Sequence, residues 1–347
     1  MVSSKWWAIA GAAVLLLGVV GCAAPAASED PGWTMDDDGR VNLLLVGADS
    51  RSDEGSDARG VRTDTLILLS IDVATARAAM FSFPRNMVNA PLGGVANRGA
   101  YEGDRLPEFL GYLWLRAAEN PDKFPGAPEI DATACAAAFD CPRPWRAVAG
   151  TVQLMAGVAL DGIVAVNLNG FVALVESLPA TGVWLDVREP LVDTGYHNSK
   201  RELMPLDIQP GCQLMDGEMT LAYARSRRES SDFDRTQRQH HVLQQVRRQV
   251  DVLGLLPRAP DLLAVARANL YTTLGQSDIE PLLRLADRVD ADAAFTLTLG
   301  PNQVDELGGM AGVPARVQGI FADEGVWATP AASASGQGRP CPPTSGQ

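Results

Sequence analysis

The chain has 347 residues, 46% of them hydrophobic and 20% charged, which is ordinary globular composition and excludes a fully disordered or fibrous protein. Its net charge of −13 excludes a general nucleic-acid binder. Three His and five scattered Cys offer no zinc-ligand spacing. Of the 29 basic residues only three are Lys, so the cationic chemistry is carried by Arg, whose planar fork suits phosphates.

Residues 1–27 read as an export signal outside the folded body. One cation, Lys5, precedes 16 uncharged residues, 6–21, ending at Cys22. Val19-Val20-Gly21-Cys22 resembles a bacterial lipobox, which makes Cys22 the lipidation candidate. An uncleaved anchor fits equally well, since the apolar stretch runs on through Ala27 and is long enough to span a bilayer. Either way the rest of the chain lies on the extracytoplasmic face of the plasma membrane, tethered by its N-terminus. Residues 28–40 are polar and turn-rich, as in a linker. Setting Cys22 aside leaves four Cys, which outside the cytoplasm imply two disulfides. Of the three possible pairings, Cys135–Cys141 with Cys212–Cys341 closes one short loop and staples the tail to the body.

The remaining pattern predicts a single αβα domain over residues 41–300, a mixed sheet with antiparallel strands flanked by helices. Strands are expected at 41–46, 65–71 and 78–83. As an antiparallel meander they place Asp49, Arg62, Asp64 and Arg85 on one edge of the sheet, where α/β folds build sites. A helix is predicted near 105–119 inside a Gly- and Pro-rich segment, 86–145. A helix at 145–157, strands at 162–167 and 183–187 around a helix at 170–177, and a loop at 188–209 come next. Helices follow at 216–226, 234–256, 260–270 and 278–289, then a strand at 295–299. Residues 301–347 read as a Pro- and Gly-rich C-terminal tail, its last 30 residues loose apart from Cys341.

The helix starting near Asp234 carries the sharpest signal. Arg235, Gln239, Leu243, Val246, Val250 and Leu253 fall on one helical face. The apolar end must pack inward, so Arg235 and Gln239 point inward too. Asp234 is placed to cap this helix, with Gln237 at N3. From Tyr223 through Arg238 there are five Arg and three acids, a local reversal of sign. A buried Arg needs a partner, and an anion at a helix N-terminus is one. His240 and His241 lie beside this face and read as structural residues.

Five segments in order resemble the LytR-CpsA-Psr family signature. They are Gly47-Ala48-Asp49-Ser50-Arg51, Arg62-Thr63-Asp64-Thr65 and Ser82-Phe83-Pro84-Arg85. Then come Leu214-Met215-Asp216-Gly217 with Ala222-Tyr223-Ala224-Arg225-Ser226-Arg227-Arg228, and Asp232-Phe233-Asp234-Arg235-Thr236-Gln237-Arg238-Gln239. The resemblance implies a membrane-attached enzyme that moves a glycopolymer from a polyprenyl-diphosphate carrier onto peptidoglycan. By motif position Asp49 and Asp64 hold Mg²⁺ or Mn²⁺. Arg62, Arg85, Arg225 and Arg227 grip the diphosphate, and Arg235 and Gln239 complete the pocket. Asp64, Arg62 and Arg85 form the catalytic set, with Asp64 taking the acceptor hydroxyl proton; Arg51 is a weaker partner for the acids. Such a site requires an apolar tunnel beside the Arg cluster, between the long helix and the sheet. Two departures stand out: Asn86 replaces the family's Asp, and 86–122 lacks the family's Lys, with Arg98 and Arg105 as substitutes. A hydrolase that cleaves polyprenyl diphosphates and a non-catalytic lipoprotein that holds them are the competing readings.

Overall fold

The computed structural model describes residues 39–50, 61–93, 99, 101–124, 139, 141–178, 180–226, 232–249, 269–290, 293–322 and 341. Three strands open the fold: β1 (Arg40–Asp49), β2 (Arg62–Asp72) and β3 (Ala78–Ser82). They form the expected antiparallel meander. Their cores are almost unbroken apolar runs because the sheet is covered on both faces. The turn between β2 and β3 is fixed by Asp72, whose carboxylate accepts from the Thr75 amide at 2.7 Å and its hydroxyl at 2.8 Å. Arg62 and Asp64, expected just before the second strand, lie inside β2.

Helix α1 (Leu113–Glu119) is shorter than predicted, with a 3₁₀ turn at Leu110–Tyr112 leading into it. Gly111 permits this turn, since a Cβ there would sit 3.1 Å from the Arg85 Cβ and 3.2 Å from the Thr63 carbonyl. Helix α2 (Pro142–Ala156) begins with Pro in its first turn and ends at Gly157, which is left-handed at φ 70°. Strand β4 (Gly162–Asn167) leads into α3 (Leu168–Glu176), capped by the Asn167 side chain accepting from the Gly170 amide. Strand β5 (Val183–Val187) follows. The segment 188–209, expected as a loop, contains β6 (Leu191–Asp193) and β7 (Leu206–Ile208), which pair with each other. Strand β8 (Gly211–Met215) pairs with β5. Asp216 caps α4 (Gly217–Arg225), accepting from the Met219 amide at 2.8 Å.

Helix α5 (Asp232–Gln249) begins two residues earlier than expected, so Asp234 is not its cap. The predicted helical residues 250–256 and 260–268 lie outside the described residues, and Leu270 begins a strand, β9 (Leu270–Thr272). Helix α6 (Gln276–Arg288) and strand β10 (Phe295–Thr298) complete the expected set. The start of the tail is a correction. Residues 301–322 form α7 (Pro301–Glu306) and α8 (Val313–Ala322) and belong to the core. Val313, Val317 and Ile320 are fully buried, and Phe321 packs edge-on against Phe81.

The main sheet has six strands in the order β10-β3-β2-β1-β4-β9. β1 and β4 run parallel, as do β3 and β10, and the other neighbours are antiparallel. Alternate residues of β1 and β2 feed two cores. Leu43, Ile67 and Leu69 meet α3, α5 and α6, whereas Leu44, Leu66 and Leu68 meet α1, α2 and α8. The fold is therefore the αβα sandwich expected from the sequence. A disulfide joins Cys212 to Cys341, one of the two proposed bridges. Cys141 is also disulfide-bonded, while Cys135, Cys22 and the N-terminal segment lie outside the described residues. No helix among the described residues is long and apolar enough to cross a membrane.

Candidate active site

The site begins with an irregularity in β2. Gly47 of β1 stands opposite Thr65, but Ala48 stands opposite Thr63, so Asp64 is an extra residue in a bulge. The bulge reverses the strand's alternation. Val61 shares a core with Leu66 and Leu68, although regular pleating would put it on the other face. Thr63 is turned into that same layer and is fully buried. Arg62, Asp64 and Thr65 are thereby brought to the wall of a cavity on the opposite face.

Four further segments bring charges to this wall. Asp49 ends β1, and its Oδ2 accepts from Arg62 at 3.4 Å and from Arg225, at the end of α4, at 3.3 Å. Arg85, three residues beyond β3, donates to Asp64 Oδ1. Arg235 and Gln239 project from α5, at 3% and 9% exposure, and both line the cavity. Their inward phase is the one read from the helical spacing. The structure thus gathers Asp49, Arg62, Asp64, Arg85, Arg225, Arg235 and Gln239 around one space. Arg227 and Arg51 lie outside the described residues.

The two helices that carry Arg225 and Arg235 are locked together. Arg238 of α5 donates from Nε to the Tyr223 carbonyl at 2.8 Å and from Nη2 to the Ser226 carbonyl. These are acceptors at the C-terminal end of α4, where a helix lacks internal partners. His240 anchors α5 to the sheet through a 2.5 Å hydrogen bond between its Nε2 and Ser82 Oγ, and His241 Nδ1 lies 3.2 Å from the Tyr223 hydroxyl. Burial pushes both imidazoles down to about 4, so both are neutral near pH 7.

The cavity has a volume of about 430 Å³ and lies between β1, β2 and β4 on one side and α3 and α5 on the other. One end is polar. Four guanidinium groups, of Arg62, Arg85, Arg225 and Arg235, meet the carboxylates of Asp49, Asp64 and Asp193. Asp193 is committed to the protein, accepting from Ser226 Oγ at 2.8 Å and from the Gly195 amide at 3.1 Å. The other end is aliphatic and aromatic, lined by Ile67, Val164, Phe171, Leu174, Leu243 and Val246. This is the place the sequence assigned to an apolar tunnel.

A divalent cation is compatible with the donors present. Among the described residues there is no cluster of three or more metal-ligating side chains. Magnesium does not need one, since it takes one or two carboxylates and fills its shell with phosphate oxygens and water. The hydrogen bonds above go to Asp49 Oδ2 and Asp64 Oδ1, leaving the second oxygen of each carboxylate for a hard cation.

Neither of the described residues at the two departures from the family signature, Asn86 and Arg105, lines the cavity. Arg105 is exposed and donates to the Asn89 carbonyl at 3.0 Å, so it does not replace the missing Lys. Arg98 lies outside the described residues. Sequence reasoning missed Asp193, Tyr196, His197 and Ser226, all of which line the cavity. The only signal was Asp193 followed by Gly195, an Asp-to-backbone turn within an apparent loop.

A three-layer αβα domain that sets an Arg-rich pocket over a hydrophobic slot defines the class by its architecture. Comparison with known proteins makes the class specific. A model of the LytR_cpsA_psr family matches residues 23–99 and 145–307, and the chain belongs to that family. It is 25% identical over 242 residues to the polyisoprenyl-teichoic acid–peptidoglycan teichoic acid transferase TagT of Bacillus subtilis (strain 168), covering 68% of this chain and 61% of that protein. It is 26% identical over 256 residues to the cell wall biosynthesis protein LcpA of Corynebacterium glutamicum, covering 67% of this chain and 44% of that one. The chain spans about half the length of the curated relatives it matches. Among solved structures the fold resembles that of B. subtilis TagV, with a TM-score of 0.55 at 18% identity over 82% of this chain and 98% of the other.

Proposed function

We propose that this protein transfers a glycopolymer from a polyprenyl-diphosphate carrier to a hydroxyl of peptidoglycan. The observation that carries the reading is the single cavity in which four Arg side chains stand over an apolar slot. A lipid-linked diphosphate has that same division, two phosphates at the head and a hydrocarbon tail. The name of TagT, a polyisoprenyl-teichoic acid–peptidoglycan transferase, supports the choice of carrier and acceptor.

In this reading the acceptor oxygen attacks the phosphorus that bears the glycan. The bond from that phosphorus to the bridging oxygen breaks, and polyprenyl phosphate leaves. The hydroxyl proton passes to Asp64, the carboxylate that the β2 bulge turns into the cavity. Arg62, Arg85, Arg225, Arg235 and Gln239 hold the diphosphate oxygens and offset charge as the bond breaks. Mg²⁺ or Mn²⁺, held by Asp49 and Asp64, supplies further charge neutralisation when bound. The N-terminal segment tethers the domain outside the plasma membrane, beside its lipid substrate, either as a lipid on Cys22 or as an apolar anchor.

The test follows labelled glycan from polyprenyl-diphosphate oligosaccharide to peptidoglycan fragments, with Mg²⁺ and with an EDTA control. The wild-type protein should join label to glycan through a phosphodiester. Asp64→Asn should lower turnover by ~100-fold or more while leaving the melting temperature within a few degrees. Release of free sugar phosphate, with or without acceptor, overturns transfer in favour of hydrolysis. Label that stays on the lipid in every condition favours a non-catalytic binder.

A further inference from the structure

We propose that Tyr196 is an additional substrate-binding residue whose phenolic hydrogen is given to a phosphate oxygen of the bound substrate, beside Arg225. The proposal rests on the cavity being a site for a phosphorylated lipid.

Tyr196 follows β6 and lines the cavity next to the Arg225 end of α4. The residue is only 8% exposed, and its hydroxyl closes no hydrogen bond of good geometry among the described residues. Arg225 stands close enough to act on the phenol electrostatically and is aligned as a donor toward it. An Arg side chain has only donors, so it can approach the phenol oxygen but can never accept the phenol hydrogen. Glu218 and Asp49 are the other charges that act on the phenol. Glu218 is taken up by the amide and hydroxyl of Ser199. Asp49 faces Arg62 and Arg225. The phenol hydrogen therefore has no acceptor among the described residues, which is a costly arrangement for a buried group.

The loop is built to hold the ring where it is. Asp193 ties the Gly195 amide to the Ser226 hydroxyl, so the loop and the end of α4 are joined on either side of the ring. The Met204 amide donates to the Tyr196 carbonyl at 2.9 Å. The ring packs on Leu206 and Ala222. The hydroxyl oxygen is shielded, with Arg225 against it, so a phosphate that draws the Arg225 side chain toward itself uncovers a neutral O–H donor at the same place. Burial raises the phenol above its ordinary pKa, so the hydrogen stays on at physiological pH. Phosphate oxygens carry the charge that the Arg groups attract and supply the acceptor lone pairs that the phenol hydrogen lacks.

Tyr196→Phe in the full chain separates this role from packing, because it removes only the hydroxyl. Three probes suffice in calorimetric titration: a short polyprenyl diphosphate, the matching monophosphate and the matching alcohol. The expected result has three parts. Diphosphate affinity falls about 10- to 100-fold, the range for one hydrogen bond to a charged group. Affinity for the alcohol is unchanged. The melting temperature of the free protein holds or rises, since an unsatisfied buried group has gone. Equal diphosphate affinity in both proteins overturns the proposal, as does a lowered melting temperature, which would show that the protein itself holds the hydroxyl. Wild-type protein that takes up none of the three probes fails the cavity reading itself, and the proposal with it. If the variant does not fold, carbon-labelled Tyr in the wild type decides. The ring resonance nearest the Arg cluster should shift when inorganic pyrophosphate is added, and a full set of unmoved Tyr resonances at saturation overturns the assignment.

Discussion

The two faces of the central sheet are made by the same strands and finished in opposite ways. On one face the space is filled. Trp114 and Trp145 are fully buried with ring centroids 5.7 Å apart, and Trp145 stacks on Tyr271 at 5.5 Å. On the other face Leu, Val and Ile side chains stop short of one another and leave about 430 Å³ open. Bulky rings with fixed shapes close one layer, and branched aliphatics line a gap in the other. One layer holds the sheet together so that its neighbour can remain hollow.

Three substitutions test that contrast, beginning with the strongest. Trp145→Ala should cost ~3–5 kcal/mol in chemical denaturation, because a close-packed layer cannot collapse around so large a void. A loss below ~1 kcal/mol would mean that the filled layer does not carry the fold.

Acid should act next, through the polar pins of the hollow layer. His240 and His241 sit near pKa 4 when folded and near 6.5 when unfolded. The unfolded chain therefore takes up more protons as pH falls from about 6.5 to about 4, and stability is lost across that window and is complete above it. Each His contributes a slope of up to about 1.4 kcal/mol per pH unit. His240→Gln should flatten the fall by about half in urea titrations at several pH values, and an unchanged slope would move the acid sensitivity elsewhere.

The smallest effect belongs to the cavity lining. Leu243→Ala should cost about 1 kcal/mol, below the usual ~2–5 for a buried Leu, since its side chain already borders open space. Under the proposed function the same change should also weaken binding of the polyprenyl tail. A cost equal to that of Trp145→Ala would erase the difference between the two layers.

Periodicity made much of this legible. The three opening strands are apolar runs, and Arg235 and Gln239 fall on the stripe of Leu243 and Val246, so both the sheet and the helix face of the site could be read. The gathering of Asp49, Arg62, Asp64 and Arg85 followed from the antiparallel meander alone. Other parts were hidden for physical reasons. Strands β6 and β7 are three residues each, too short for alternation to register. Composition obscured α8, where Gly and Pro surround the Val313, Val317 and Ile320 stripe that does bear a helical period. Asp193 and Tyr196 meet Arg225 only through tertiary folding. The bulge at Asp64 left no mark, because Thr, Asp and Arg fit either face of a strand.

That bulge makes chain length, rather than residue type, the variable on which the site depends. Removing Asp64 would leave Thr65, Thr63 and Arg62 alternating on the faces they now occupy, and would take from the cavity wall only the carboxylate that the extra residue adds. A sheet like this one can therefore gain or lose one cavity carboxylate in a single insertion or deletion event, with every neighbouring side chain left on its own face.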